Sequence, residues 1–312
     1  MKLAIIGAAG AIGKSVADAY HAKGEHVQLV GRNAAPLQAM QATGDEVVVA
    51  DVATEEGCFA ALQGVTHAVY TLGLPYSKTA FAAYPAMMTA FIKAARRAGT
   101  KRIVLITNLY PYGKPQTPKV AETHPRLPCS VKGQFRKEQE DIFLAASGDG
   151  LETISLRLPD FYGPNVAGSI FDGVIKAAIA GKTGNLLGPD QTPHEFVFTP
   201  DVGPVVRDLL ESKKSVSGAF NFAGAGVTTQ RKLAEAIYAQ AGRSPKLVTL
   251  APWMQQGLGL FMPILSELNE MRYLHQTPVL LDDAKLLSLL PGTKKTSYEE
   301  GVKRAVAAAS AS

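Results

Sequence analysis

The N-terminal stretch reads Leu3-Ala-Ile-Ile-Gly-Ala-Ala-Gly-Ala-Ile-Gly13. An apolar run, Leu3–Ile6, leads directly into three glycines at Gly7, Gly10 and Gly13. This order predicts a buried strand, a tight turn and then a helix. Gly7 permits the turn, Gly10 lets a ligand approach the backbone, and Gly13 lets the helix pack closely on the strand.

A helix that starts at such a turn directs its first free backbone N–H groups and the positive end of its dipole at an anion placed there. This arrangement suits the pyrophosphate of a dinucleotide. A structural glycine turn without a ligand is the alternative, because glycines also recur in loops for conformational reasons. We expect cofactor contacts from the turn residues Gly7, Ala9, Gly10, Ala11, Ile12 and Gly13.

The end of the second predicted strand bears on which dinucleotide is bound. NAD-preferring domains carry an acidic residue there for the ribose 2′-hydroxyl, whereas this chain has Gly31 and Arg32. A guanidinium suits a 2′-phosphate, so the sequence favours NADP(H), with a plain surface arginine as the alternative. After the third strand, Asp51 and Val52 are placed to contact the adenine, although Asp51 in that position would also suit a helix cap. Leu72 and Gly73, which follow the fourth strand, complete the expected contacts.

Short apolar strands alternate with segments of helical spacing through the first half of the chain. Continuously apolar strands separated by helices predict an α/β fold, a doubly wound parallel (Rossmann) sheet covered on both faces. The six predicted strands are Leu3–Ile6, Val27–Val30, Val47–Val49, Ala68–Tyr70, Ile103–Ile106 and Glu152–Arg157. The predicted helices of this part are Ala11–Ala22, Ala34–Ala42, Glu55–Leu62, Phe81–Ala98 and Ser130–Ala146.

Beyond Pro159 the alternation weakens, and helical segments are joined by loops rich in proline and glycine. We expect a dinucleotide-binding domain at residues 1–162, completed by part of 196–228, and a smaller, mostly helical substrate domain at 163–312. Such a domain would pack over the strand ends, where open α/β sheets place their ligands. Its predicted helices are Ile170–Ala180, Val202–Leu210, Gln230–Ala241, Trp253–Tyr273 and Ser297–Ala308.

Composition excludes several classes of function. The 312 residues carry a net charge of +5, but the basic pairs are separated by acidic residues and lack interleaved aromatics, so nucleic acid is not an expected partner. The two cysteines and six histidines form no metal-binding pattern. The longest uncharged stretch contains prolines and glycines, which argues against a membrane span. We expect a cytoplasmic protein with a small-molecule substrate, and an apolar helix of the second domain as a homodimer contact or a pocket wall.

Five motifs follow one another along the chain. They are the glycine turn, Asp51-Val52, the segment 103–113, Arg157-Leu-Pro-Asp-Phe-Tyr-Gly-Pro164 and Phe196-Val-Phe-Thr-Pro-Asp-Val202. In this order the chain resembles the extended short-chain dehydrogenase/reductases, in their epimerase/dehydratase-like branch, over nearly its whole length. The resemblance implies that Pro159 and Phe161 contact the nicotinamide carboxamide, although the same segment would also suit a rigid turn between the domains.

The family's active site holds a Ser or Thr and a Tyr-x-x-x-Lys pair. Lys132 is the best match to the lysine, but Pro128 stands four residues before it; Lys137 would place Gly133 there. The spacing Lys132-x-x-x-Arg136-x-x-x-Glu140 also resembles the isoflavone-reductase-like and NmrA-like branch, which lacks the tyrosine. In both cases the resemblance places Lys132 near the nicotinamide ribose; an ordinary helix lysine is the alternative.

Carbonyl reduction needs a proton donor as well as a hydride, and the loop after the fifth strand offers candidates. Tyr110 and Tyr112 would replace the missing tyrosine, unless they are packed aromatics. Asn108 falls at the position of the family's serine or threonine, with Thr107 beside it; both would hydrogen-bond a substrate oxygen or simply fix the loop. Candidate lining residues of a mainly apolar pocket are His194, Glu195, Trp253, Phe261, Met262, Met271 and Tyr273.

These features favour an NADP(H)-dependent oxidoreductase that acts on a small carbonyl-like substrate. Two alternatives stay open: a sugar-nucleotide epimerase or dehydratase, and a non-catalytic NADP-sensing protein of the NmrA-like kind. The missing tyrosine and Arg32 count against the epimerase or dehydratase. The same fold and glycine turn serve the oxidoreductase and the NADP-sensing protein, so the sequence does not separate these two.

Overall fold

The computed structural model describes residues 1–164, 166, 169–250 and 263–311. Their strands are β1 Leu3–Ile6, β2 Gln28–Gly31, β3 Glu46–Val49, β4 His67–Tyr70, β5 Arg102–Asn108, β6 Glu152–Leu158, β7 Asp160–Tyr162, β8 Gly184–Leu187, β9 Phe196–Phe198, β10 Gly218–Asn221 and β11 Leu247–Leu250. Their helices are α1 Ala11–His21, α2 Ala34–Gln38, α3 Glu55–Leu62, α4 Lys78–Phe81, α5 Tyr84–Ala98, α6 Val131–Ala145, α7 Ile170–Ile179, α8 Val202–Leu210, α9 Gln230–Gln240, α10 Pro263–Asn269, α11 Tyr273–Gln276, α12 Ala284–Leu289 and α13 Tyr298–Ser310. The 3₁₀ turns are Tyr110–Tyr112 and Thr199–Asp201.

Seven parallel strands form the central sheet in the order β10-β6-β5-β4-β1-β2-β3. The six strands predicted from the sequence all lie in it, and β10 adds a seventh at the edge beside β6. The doubly wound α/β fold is thus confirmed. Two small parallel pairs, β7 with β9 and β8 with β11, lie outside this sheet.

Each face of the sheet is covered by its own layer of helices, because the strands are apolar on both sides. Helices α1 and α8 pack together on one face. Helix α5 packs between α3 and α6 on the other. A third apolar cluster joins α7, α9 and α13 to β8 and β9 in the C-terminal half of the chain.

The predicted helix Phe81–Ala98 begins later in the structure, as α5 at Tyr84, and Phe81 is the last residue of the separate short helix α4. Pro85 stands in the first turn of α5, where a residue without an N–H is tolerated only at a helix start. The predicted helix Ala34–Ala42 ends at Gln38, and Asp45 then accepts the N–H of Ala42 as the chain turns into β3.

Part of the predicted helix Trp253–Tyr273 lies outside the described residues, and its described part forms α10 and the start of α11, separated by a turn. None of the helices that the structure describes is long and apolar enough to cross a bilayer.

Strand register places the predicted cofactor residues on one edge of the sheet. Ile6 of β1 is aligned with Val30 of β2 and with Tyr70 of β4, and Tyr70 is aligned with Leu105 of β5. The residues that follow these strands therefore meet at the carboxyl edge, where open parallel sheets bind ligands.

Candidate active site

The glycine turn leaves space for a ligand. Gly7 has φ +85°, in the left-handed region that favours glycine, and its N–H donates to the carbonyl of Val30 at 3.0 Å. A Cβ on Gly13 would lie 2.5 Å from the carbonyl oxygen of Gly7, so this glycine is needed for helix α1 to pack on the strand. A Cβ on Gly10 would meet only that oxygen, at 3.3 Å.

Gly10 is the N-cap residue of helix α1, and it has no side chain that could cap the helix. The N–H groups of its first turn, from Ala11 to Gly13, are therefore free of a capping side chain. Together with the positive end of the helix dipole they fit a pyrophosphate.

The ends of β2 and β3 present two charged side chains. Arg32 is exposed, and it has no ion pair or hydrogen bond among the residues that the structure describes. Asp51 is also exposed; its carboxylate accepts the N–H of Ala53 at 3.1 Å, while Thr54 is the residue that caps α3. Val52 is buried behind it.

Leu72, which follows β4, lies close to the glycine turn: its backbone N is 3.3 Å from the place that a Cβ on Gly7 would take. The next residue, Gly73, is exposed. At the end of β5, Thr107 is buried and accepts a hydrogen bond from Arg136 at 3.0 Å. Asn108 accepts the N–H of Tyr110 at 3.2 Å and so shapes the loop. The structure thus brings the predicted contacts from β1, β2, β4 and β5 to one edge.

Tyr112 belongs to a buried polar network. Its hydroxyl donates to Asn221 at 2.8 Å and accepts from Arg157 at 2.6 Å, and Arg157 is paired with Glu140 at 2.7 Å. Burial raises the pKa of Tyr112 in spite of the neighbouring guanidinium. The hydroxyl proton is already used inside the protein, and Tyr112 does not line the cavity described next.

A cavity of about 380 Å³ lies beside the carboxyl edge, between the sheet and the C-terminal half. Its size is at the small end of the range for small-molecule sites. Apolar side chains make up most of its wall. They are Phe161, Val166, Ile170, Phe171, Leu187, Pro189, Phe196, Leu268, Met271 and Leu274.

Tyr110 faces this cavity together with Tyr76. The phenol groups of Tyr110 and Tyr76 are neighbours in this wall. Burial raises the pKa of both phenols far above the ordinary value of 10.0, so both stay protonated at neutral pH. Of the two predicted tyrosines, Tyr110 is the one with access to the cavity.

Three titratable groups stand together at the polar part of the cavity wall. His194 Nε2 lies 3.1 Å from Asp160 Oδ2, and His275 lines the same wall. Burial opposes the charge on Asp160, but the hydrogen bond and the charges of both imidazoles outweigh it and hold the pKa of Asp160 below its usual 3.8. Burial also lowers the pKa of His275, so this ring is neutral at pH 7.

Lys132 lies in the first turn of α6, and its side chain is fully buried. Its ammonium lies 2.5 Å from Glu267 Oε2 and 3.0 Å from Glu270 Oε1, both from the segment around α10. It also stands over the ring of Tyr76, 4.8 Å from the centroid. Lys132 is therefore next to the Tyr76–Tyr110 pair, with two carboxylates as its partners.

The remaining pocket predictions have mixed outcomes. Of the predicted pocket residues, His194 and Met271 line the cavity. Of the two predicted nicotinamide contacts, Phe161 also lines it, whereas Pro159 is buried. Two other candidates have different neighbours. Glu195 lies near Lys295, and the Tyr273 hydroxyl donates to the carbonyl of Tyr110 at 3.5 Å. The candidates that lie outside the described residues are Trp253, Phe261 and Met262.

Sequence reasoning missed Tyr76, Thr192 and His275. Tyr76 follows β4 by a few residues, so its position after a strand end was a usable signal. His275 had no such signal, because only the tertiary fold brings it to Asp160. The described residues contain no group of three metal-binding side chains.

Comparisons with known proteins agree with this geometry. Residues 7–148 match the family model described as NAD(P)H-binding. No curated protein matches the chain in sequence. The UDP-glucuronic acid 4-epimerase of Bacillus cereus in complex with NAD superposes with a TM-score of 0.81 at 16% identity, over 99% of this chain and 96% of that one.

Two further structures are similar to the same extent. The UDP-glucose 4-epimerase of Thermus thermophilus in complex with NAD has a TM-score of 0.80 at 19% identity, covering 99% of this chain and 98% of that one. The UDP-N-acetylglucosamine 4-epimerase of Bacillus cereus has a TM-score of 0.77 at 19% identity, covering 98% of each chain. The chain therefore carries an NAD(P)H-binding domain at residues 7–148, and it shares the overall fold of these three 4-epimerases.

Proposed function

We propose that this chain is an NADP(H)-dependent oxidoreductase that reduces a small, mainly apolar carbonyl compound. The observation that carries the proposal is the cavity itself: about 380 Å³, mostly apolar, with the protonated Tyr110 hydroxyl in its wall beside the carboxyl edge of the sheet. Pockets of this kind bind small ligands by burying apolar surface and orient them with a few polar groups.

The cofactor would lie along the carboxyl edge. The glycine turn from Gly7 to Gly13 would hold the pyrophosphate, and the unpaired guanidinium of Arg32 would bind a 2′-phosphate. When bound, the nicotinamide supplies the hydride. Asp51 and Val52 would contact the adenine end of the cofactor. Leu72 and Gly73 would contact its middle. Pro159 and Phe161 would contact its nicotinamide end.

In this mechanism Tyr110 gives the proton to the substrate oxygen while the carbonyl carbon receives the hydride. The carbonyl double bond becomes a single bond, and the C–H and O–H bonds of the alcohol form. A phenol with a raised pKa holds its proton at neutral pH and releases it to the alkoxide that develops in the transition state. Asn108 positions the Tyr110 backbone, and Lys132 stands over the Tyr76 ring and holds it beside Tyr110.

A sugar-nucleotide epimerase or dehydratase is the second candidate, because neighbours of this fold were solved with NAD and with UDP-sugars. A diphosphate calls for cationic side chains, and the described residues that line the cavity include no lysine or arginine. A non-catalytic NADP-binding protein is the third candidate. The ion pairs of Lys132 with Glu267 and Glu270 favour this third candidate, because they already neutralise the ammonium.

Nicotinamide absorbance separates these candidates. Purified protein is mixed with NADPH and a panel of aldehydes, ketones and quinones, and in parallel with UDP-glucose, whose C4 epimer is sought by chromatography. Oxidation of NADPH by apolar carbonyl compounds supports the oxidoreductase. Epimer formation without net oxidation of nucleotide supports the second candidate, and tight nucleotide binding with no turnover of either kind supports the third.

A further inference from the structure

The negative charge in the described cavity wall comes from a single residue. Asp160 is the only carboxylate among the described lining residues, and no lysine or arginine stands with it. The stretches outside the described ranges, namely 165, 167–168, 251–262 and 312, contain no charged residue in the sequence. The two histidines of the wall are the only other titratable side chains there apart from the tyrosines, and His275 is neutral at pH 7.

Asp160 is held with one oxygen available. His194 binds Oδ2, and within the described part of the chain no hydrogen bond reaches Oδ1. The Asp160 side chain is 45% exposed, and it lines the cavity. A carboxylate oxygen that faces a cavity and has no protein donor can accept one from a ligand.

The neighbours of Asp160 keep it in place. Its strand β7 is in register with β9, where Asp160 is aligned with Phe196. His194 exchanges two backbone hydrogen bonds with Thr228, each 2.8 Å long, and its ring packs 4.5 Å from the ring of Phe196. The imidazole therefore orients the carboxylate, and the carboxylate does not need to reorganise when a ligand arrives.

We infer that the cavity binds carbonyl compounds with a compact apolar body and a cationic amine head, which Asp160 accepts, and that it discriminates against anionic compounds. The inference names a substrate class for the proposed oxidoreductase and rests on that function only for the carbonyl group. A charge-assisted hydrogen bond holds an ammonium against the free oxygen. An anion would meet a like charge with no lysine or arginine in the described wall to compensate, which is also unfavourable for sugar diphosphates.

Three ketones of nearly equal size test the inference: para-(aminomethyl)acetophenone, para-methylacetophenone and para-acetylbenzoate. They differ only in whether the head is cationic, neutral or anionic. Binding is measured by titration calorimetry on the full chain at mildly alkaline pH, with and without NADP⁺. We expect the amine to bind at least about tenfold more tightly than the carboxylate, since one charge-assisted hydrogen bond accounts for such a ratio.

Two variants assign the preference to one residue. Asp160→Asn keeps the shape and removes the charge, and it should bring the amine-to-carboxylate ratio close to one. Asp149→Asn is the matched control: it makes the same change in net charge at an exposed position with φ 49°, which asparagine tolerates, and it should leave the ratio unchanged.

The outcomes distinguish this inference from the proposed function. Carboxylate binding as tight as amine binding in the wild type, or an Asp160→Asn variant that keeps the wild-type ratio, overturns the inference. Calorimetry needs no turnover, so a protein that prefers the amine but oxidises no NADPH retains the inference and loses the oxidoreductase. Turnover of all three ketones with equal KM values supports the oxidoreductase and overturns the inference.

Discussion

Lys132 donates twice to one oxygen of Glu270: its backbone N–H lies 3.1 Å and its ammonium 3.0 Å from Glu270 Oε1. Glu267 adds a second carboxylate at 2.5 Å. The lysine side chain is 0% exposed, whereas those of Glu267 and Glu270 are 22% and 13% exposed. One buried cation therefore joins the start of α6 to the segment that follows residue 263.

Replacing Lys132 by methionine should destabilise the protein by about 3 kcal/mol, because it leaves two carboxylates close together without their cation. The double variant Lys132→Met/Glu270→Gln should recover about half of that loss, since it removes one of the two charges. Unfolding by urea, followed by circular dichroism, measures both. If Lys132→Met were as stable as the wild type, water would have replaced the ammonium as the partner of the two carboxylates.

The Lys132→Met variant also tests the role of the lysine in turnover. With NADPH and an active ketone, we expect it to lose about tenfold or more in rate.

Arg32→Ala should weaken NADPH binding about 10- to 100-fold, because a charge-assisted contact to the 2′-phosphate is lost. NADH, which lacks that phosphate, should bind as before. Equilibrium titration of both nucleotides measures the two affinities. Lys303→Ala removes an exposed positive charge elsewhere and serves as the control. Equal losses for NADPH and NADH in Arg32→Ala would contradict the assignment.

Gly10→Ala and Gly13→Ala should fail in different ways. At Gly10 the backbone is extended and a Cβ meets one atom at 3.3 Å, so the variant should fold with nearly normal stability but bind nucleotide at least about tenfold more weakly. At Gly13 a Cβ lies 2.5 Å from a backbone oxygen, so the helix must shift and stability should fall by about 1–3 kcal/mol. Thermal unfolding and nucleotide titration separate the two effects. Unaltered nucleotide affinity in Gly10→Ala would count against a phosphate at this turn.

Tyr110→Phe and Tyr112→Phe form a second contrasting pair. The first should reduce turnover about 100-fold because the proton donor is lost, with little change in stability. The second should cost about 1–3 kcal/mol of stability, because Arg157 and Asn221 lose a buried partner, while turnover per folded molecule changes little. Steady-state kinetics together with urea unfolding of each variant provides the comparison. A reversed pattern would move the proton donor to Tyr112.

Glu195 should make stability depend on pH near neutrality. Burial raises the pKa of this carboxyl from 4.5 to about 7, against the opposing N–H groups of Gly224 and Leu281 and the charge of Lys295. Its contribution to stability is therefore present below pH 4.5 and is lost as the pH rises through about 7. Glu195→Gln should remove this loss and be more stable than the wild type above pH 8, by roughly 3 kcal/mol at most.

Melting temperatures across the range from pH 5 to pH 9 measure the effect. Glu299→Gln, at an exposed position, is the control and should follow the wild-type curve. Parallel curves for Glu195→Gln and the wild type would show that the carboxyl is not protonated in the native state.

Local sequence signals predicted the secondary structure of the N-terminal half better than that of the C-terminal half. Apolar runs and glycine spacing are local signals, and they predicted the first six strands of the sheet, the helix at Ala11 and the edge at which Gly7, Leu72 and Thr107 meet. The C-terminal half has short strands, such as β8 and β11, whose pairing joins residues far apart in the chain. No local pattern encodes such a partner.

The sequence by itself determined the doubly wound fold and a dinucleotide edge, because glycine spacing and strand hydrophobicity act over a few residues. Only the tertiary structure decided what stands beside that edge. It gave Tyr112 two buried partners and left Tyr110 facing a cavity, and it brought His194 of the second half against Asp160. These contacts depend on packing between segments more than thirty residues apart, where the burial of a charge or hydroxyl is set by its neighbours in space.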